Sequence, residues 1–156
     1  MPGIKRPKVA RSGMSIAIGC AAFGMASVAA YAQFTPPPPK ANELQVYLVR
    51  QDFSDCTNAN VPSGDSPGVG GNVWLIRGTD GNTTAKIVLT ASPKTTYHFY
   101  LKCVRQLGDI TTDEEGVGTA LYTFPTNSVG NVYAFDSYPE GAPAGNKFQS
   151  AQVKFQ

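Results

Sequence analysis

The sequence runs to 156 residues, 42% of them hydrophobic and 15% charged, with a formal net charge of +2, a length that suits one folded domain. Four of its thirteen Lys and Arg residues, Lys5, Arg6, Lys8 and Arg11, precede residue 12, whereas all eleven Asp and Glu residues follow residue 42. From residue 33 onward nine basic residues face eleven acidic ones, a net charge of minus two, and no basic patch of the kind that gathers phosphates remains, which argues against nucleic-acid binding.

The early basic residues are followed by an apolar run from Met14 to Ala30 and by Ala30-Tyr31-Ala32. A positive segment, an apolar segment and small residues at the minus three and minus one positions predict a secretory signal peptide over residues 1–32, cleaved after Ala32. The expected product is secreted or periplasmic, starts at Gln33 and has no membrane span after cleavage. A lipoprotein cleaved before Cys20 fits less well, because Ala17-Ile18-Gly19-Cys20 lacks the leucine expected three places earlier. Residues 33–42 carry Pro36 to Pro39 and read as a stiff Pro-rich spacer, since four nitrogens without hydrogens cannot enter a sheet.

Residues 43–156 form the expected folded domain. Apolar residues there recur with period two, between clusters of Gly, Pro, Asn and Asp, and no segment reads as a helix. The spacing predicts strands near 44–50, 72–78, 84–91, 96–104, 107–112, 117–124, 130–137 and 147–155. In the fourth of these, Tyr97, Phe99, Leu101 and Cys103 share the expected core face, opposite His98, Tyr100, Lys102 and Val104. The Asp80-Gly81 step predicts a hairpin between the second and third strands. The fold class is therefore all-β, a single antiparallel β-sandwich of about eight short strands, with a small β-barrel as the alternative. Residues 53–71 form the longest irregular stretch. Cys56 within it is expected to pair with Cys103, because these two cysteines alone remain after residue 32 and the compartment is oxidising. Closing that 47-residue loop stabilises by about 4 kcal/mol in the chain-entropy account.

The stretch Pro93-Lys94-Thr95-Thr96-Tyr97 resembles the Pro-x-Thr-x-Tyr corner that opens a strand in fibronectin type III and other immunoglobulin-like sandwiches. The resemblance covers about seven residues and implies the superfold alone. It implies that the Tyr97 hydroxyl bonds back to the backbone of its own corner.

Chemistry-bearing residues are sparse. His98 is the only histidine and reads as a solvated residue on an outer strand face, without the nucleophile and orienting carboxylate that catalysis needs. Asp109, Asp113, Glu114 and Glu115 form the one calcium candidate, against the plainer reading of a solvated acidic turn. The Gly-rich run Ser63–Gly71 has no Lys-Ser or Lys-Thr ending and opens no helix, so no cofactor is expected from it. Outward aromatics make Trp74 and Tyr100, with His98, the candidate ligand-binding residues, although burial of both faces would turn Trp74 and Tyr133 into core residues. The expected function is a non-enzymatic secreted or periplasmic binding or structural module, its partner a protein or a cell-envelope glycan. The alternative is an extracytoplasmic hydrolase or calcium-dependent enzyme on a sandwich scaffold.

Overall fold

A computed structural model describes residues 40–64 and 68–156. The signal-peptide reading and most of the Pro-rich spacer fall outside the described residues. The last spacer residues, Lys40 to Asn42, form a turn closed by the Glu43 N–H on the Lys40 carbonyl and tied to the sheet by the Arg77 N–H on the Asn42 carbonyl. Ten strands follow: β1 Glu43–Arg50, β2 Gly70–Arg77, β3 Asn82–Thr90, β4 Thr96–Leu101, β5 Arg105–Thr111, β6 Val117–Pro125, β7 Val132–Tyr133, β8 Phe135–Pro139, β9 Phe148–Ser150 and β10 Val153–Lys154. Among the described residues one 3-10 turn, Thr126–Ser128, is the only helical element, and no helix is long and apolar enough to cross a membrane.

Eight strands make one antiparallel sheet in the order β5-β4-β8-β9-β1-β2-β3-β6, and β7 pairs with β10 in a separate two-stranded ladder. The sheet is nearly closed, because its two end strands are successive in the chain and come together beyond the turn that joins them. There the Asp113 N–H meets the Val117 carbonyl at 2.9 Å, and the Tyr122 hydroxyl donates to the Asp109 carbonyl at 2.6 Å. Two glycines make the approach sterically feasible. A Cβ on Gly108 would lie 2.4 Å from the Tyr122 ring, and one on Gly118 would lie 2.7 Å from Ile110 Cγ2.

The interior is filled by the alternate residues that period two places on one face: Leu48, Leu75, Ile87, Phe99, Phe135 and Phe148 are all fully buried. The Asp80-Gly81 hairpin joins β2 to β3 in register from Gly70 against Thr90 to Arg77 against Thr83, with Gly81 at φ +81 and the Asp80 carboxylate accepting the Asn82 N–H at 3.0 Å.

Three expected strands change at their ends. The fourth stops at Leu101, because Cys103 takes a left-handed φ of 56 in the turn to β5. Cys103 and Val104 are exposed there, so Cys103 does not share the core face with Phe99. The seventh breaks at Ala134 into β7 and β8, and the eighth breaks at Ala151–Gln152 into β9 and β10. At the first break the chain passes from the small sheet to the large one, and at the second from the large sheet to the small one. The Lys102 N–H on the Ala134 carbonyl and the Phe135 N–H on Ser150 Oγ hold the crossing.

Tyr97 is buried on the core face of β4. Its hydroxyl accepts the Ser92 N–H at 3.1 Å and donates to Asn146 Oδ1 at 2.5 Å, so one oxygen joins the β3–β4 corner to the β8–β9 connection. Tyr97→Phe is expected to lose about 1 kcal/mol of stability, the net worth of such bonds, in denaturant melts. An unchanged midpoint would show that water serves both partners equally well.

Candidate functional site

The irregular segment between β1 and β2 lies against the outer face of β4, β8 and β9. Cys56 and Cys103 stand at disulfide distance, S–S 2.02 Å with Cα atoms 5.6 Å apart, and fasten the segment to the β4–β5 turn. Asn58 fastens it to the sheet: it is 2% exposed, and its Nδ2 donates to the Ser150 carbonyl at 2.6 Å. Asparagine is among the few residues that accept the left-handed φ of 49 found there at little cost.

Between this segment and the sheet lies a cleft of about 670 Å³ whose lining includes Asp52, Phe53, Asn60, Tyr138, Ala142 and Lys147. Lys102 forms part of its floor. Alternation places Lys102 on the outer face of β4, yet the segment above leaves its side chain only 6% exposed. Its ammonium donates to Ser54 Oγ at 2.8 Å and to Gln149 Oε1 at 2.5 Å, and lies 3.5 Å from Asp136 Oδ2. Three donors thus meet three acceptors, as a buried ammonium requires. Gln149 in turn donates to the Gln51 carbonyl at 2.7 Å. Burial pushes the Asp136 carboxyl above its ordinary range, while Lys102 pulls the other way. Asp136 Oδ1 is buried and has no partner.

Tyr138 stands beside Asp136 on the same face and stacks on Tyr100, with ring centroids 4.9 Å apart. Burial first, and then the neighbouring Tyr100, pushes the Tyr138 hydroxyl up to about 12. The aromatic pair continues into His98, whose ring meets Tyr100 edge-on at 6.5 Å.

His98 is not the isolated histidine that the sequence suggests. Its Nδ1 lies 2.7 Å from Asp109 Oδ1 across the β4–β5 ladder, and its Nε2 lies 3.3 Å from Glu140 Oε2 at the end of β8. Gln106 donates to the same Asp109 oxygen at 2.6 Å. The strand register explains the first contact, since His98 is the direct partner of Asp109. The Asp109 hydrogen bond is the main reason the imidazole titrates above its ordinary 6.5, with Glu140 adding to it against a desolvation penalty. Both ring nitrogens face carboxylates, so neither is free to take a proton from a nucleophile. A raised histidine pKa contributes stability that is complete below about 6.5 and is lost as pH rises through the higher folded value. Thermal melts should therefore show stability falling above pH 6.5 by an amount that His98→Gln removes. Parallel pH profiles for the two proteins would show that the carboxylate contacts do not bind the proton more tightly in the fold.

The other sequence candidates do not gather here. Trp74 is half-buried on the outer face of β2 rather than in the core, between Gln45 and Lys86 in register, with Lys86 Nζ 5.9 Å from its ring. It is four strands away from Tyr100 and His98 in the sheet order. Tyr133, by contrast, is fully buried. The acidic run is dispersed: Asp109 serves His98, the Asp113 carboxylate accepts the N–H groups of Glu115 at 3.0 Å and Val117 at 2.7 Å, and Glu114 pairs with Lys94 at 2.7 Å. Asp113 is occupied in closing a turn, which is why the run does not converge as a calcium site. Among the described residues no group of three or more His, Cys, Asp or Glu side chains is placed to hold a metal ion.

Ser54, Lys102, Asp136 and Gln149 are the site residues that the sequence did not disclose. The available signal was the outward position of Lys102 beside Tyr100 and next to a cysteine. Compared with known proteins, the chain matches no family model, and no curated protein is significantly similar to it.

Proposed function

We propose that this protein is a non-enzymatic binding module acting outside the cytosol, its ligand seated in the cleft between the Cys56 segment and the outer face of β4, β8 and β9. The observation that carries the reading is the cleft itself, where the exposed ring of Phe53 and the buried Lys102–Asp136 ion pair line one cavity. The cleft has the volume of ordinary ligand sites. The disulfide-distance cysteines and the leader pattern support the secreted or periplasmic location, because such pairs persist in oxidising compartments. The Tyr97 corner supports the immunoglobulin-like resemblance at that corner alone, and a fold of this kind does not itself assign a function.

A hydrolase is the second reading, since Ser54 and Lys102 form a hydroxyl–amine contact of 2.8 Å. In that geometry the lysine donates to the serine instead of accepting its proton. The test compares wild type with Asn60→Trp, which fills the cleft, and with Leu121→Ser on the far β6 face, where Leu121 is 65% exposed. Wild type and Leu121→Ser are expected to be retained on envelope material from the source cell, and Asn60→Trp to pass through. Equal retention of all three would remove the cleft from the function. Turnover of peptide, ester or glycoside substrates that Ser54→Ala or His98→Ala abolishes without unfolding would establish the enzyme instead.

A further inference from the structure

We infer that the cleft takes a neutral saccharide, with the C–H face of one sugar ring against Phe53 and its hydroxyls toward the polar side chains of the lining. The inference rests on the binding-module reading above and names the ligand class for that site. The charges that line the cleft discriminate among ligand classes. Lys102 and Lys147 line the cleft against a cation, and Asp52, Asp55 and Asp136 line it against an anion. Most of these charges are already engaged: Asp52 accepts the Gly145 N–H at 2.8 and 2.9 Å, Asp55 accepts from Thr57, and Lys102 holds Asp136. What remains is a pocket of nearly balanced charge with a mixed polar and apolar lining, suited to a neutral molecule that is itself part polar and part apolar.

Phe53 supplies the second requirement. Its ring is 80% exposed, an unusual position for a phenylalanine in a wall that also carries Tyr138, and Lys147 approaches it only at 5.9 Å. An open aromatic face beside hydrogen-bonding side chains matches the two-sided chemistry of a sugar ring, apolar on its C–H face and hydroxylated around its rim. An extended peptide fits less well. The floor strands β4, β8 and β9 are neighbours inside the sheet, so their backbone groups are paired with each other and give a peptide no edge to extend.

The test is calorimetric titration of the purified protein with chitotriose, cellotriose and mannotriose. At least one is expected to bind, with affinity weakened about tenfold or more, some 1.4 kcal/mol, by Phe53→Ala. Asn60→Trp, which fills the cleft, is expected to abolish binding, whereas Leu121→Ser binds normally. Circular dichroism confirms that each variant is folded, and because Phe53 is exposed its variant keeps the test decisive if Asn60→Trp fails to fold. Absence of binding to all three sugars, while Asn60→Trp still abolishes envelope retention, would overturn the saccharide and leave the cleft reading standing. Binding unaffected by Phe53→Ala in a folded protein would place the sugar elsewhere and overturn the proposal, as would selective binding of an unstructured decapeptide in the cleft.

Discussion

Lys102→Met is expected to destabilise the protein by about 3–5 kcal/mol at neutral pH, the usual consequence of leaving a buried charge without its partner. Asp136 is the group left behind: its side chain is 16% exposed, its Oδ2 has only Lys102 as a counter-charge, and its Oδ1 has no partner. Ser54 and Gln149 lose a donor at the same time. The pH dependence tests the assignment. Removing Lys102 raises the Asp136 pKa further, so the folded value lies above the unfolded one, and the penalty grows as pH rises through the folded value and shrinks below it. Urea melts at pH 4 and pH 7 should therefore show a smaller loss at pH 4. Lys102→Met/Asp136→Leu should recover most of the stability, because an apolar pair of similar volume needs no counter-charge. A loss equal at both pH values, with no recovery in the double variant, would mean that Lys102 contributes only its packing.

Phe99→Ala should cost a similar amount, about 3–5 kcal/mol, for a different reason. Phe99 is fully buried and stacked between Phe135, 5.4 Å away with planes 8° apart, and Tyr122, 6.0 Å away at 20°. The cavity would open under Tyr122, the residue whose hydroxyl bridges β6 to β5. Amide exchange along β5 should accelerate more than along β2 and β3. Tyr100→Ala, one residue along on the outer face, should cost clearly less. If Phe99→Ala and Tyr100→Ala melted alike in denaturant, the faces of β4 would have been assigned the wrong way round.

Those faces were legible in the sequence because Tyr97, Phe99 and Leu101 alternate with His98 and Tyr100, and an alternating strand has only two sides. The hairpin at Asp80-Gly81 was legible for an equally local reason. The splitting of the last two expected strands was not, since it depends on β7 meeting β10, a pairing between Tyr133 and Val153 that no local pattern encodes. Near-closure of the sheet was hidden in Gly108 and Gly118, which look like ordinary strand glycines until Tyr122 and Ile110 are placed against them. Tyr100 stacks on the cleft residue Tyr138 from the outer face, and His98 lies beyond it on the same face. Lys102 could not be recognised as buried, because the segment that covers it begins some fifty residues earlier. The carboxylate partners of His98 needed the β4–β5 register and the position of Glu140 beyond β8.

The sheet order also sets a timetable. In it β1 lies between β9 and β2, and the β1–β9 register joins Val49 to Gln149, across a hundred residues of chain. A chain made from its N-terminus onward presents β1 early and its second neighbour almost last. The β2–β3 and β4–β5 hairpins can close locally within microseconds, whereas the β1–β9 junction must wait for nearly the whole domain and then close a far longer loop. Until then one edge of β1 is unpaired, so pulse-labelled refolding should protect the amides of β2 and β3 before those that β1 shares with β9.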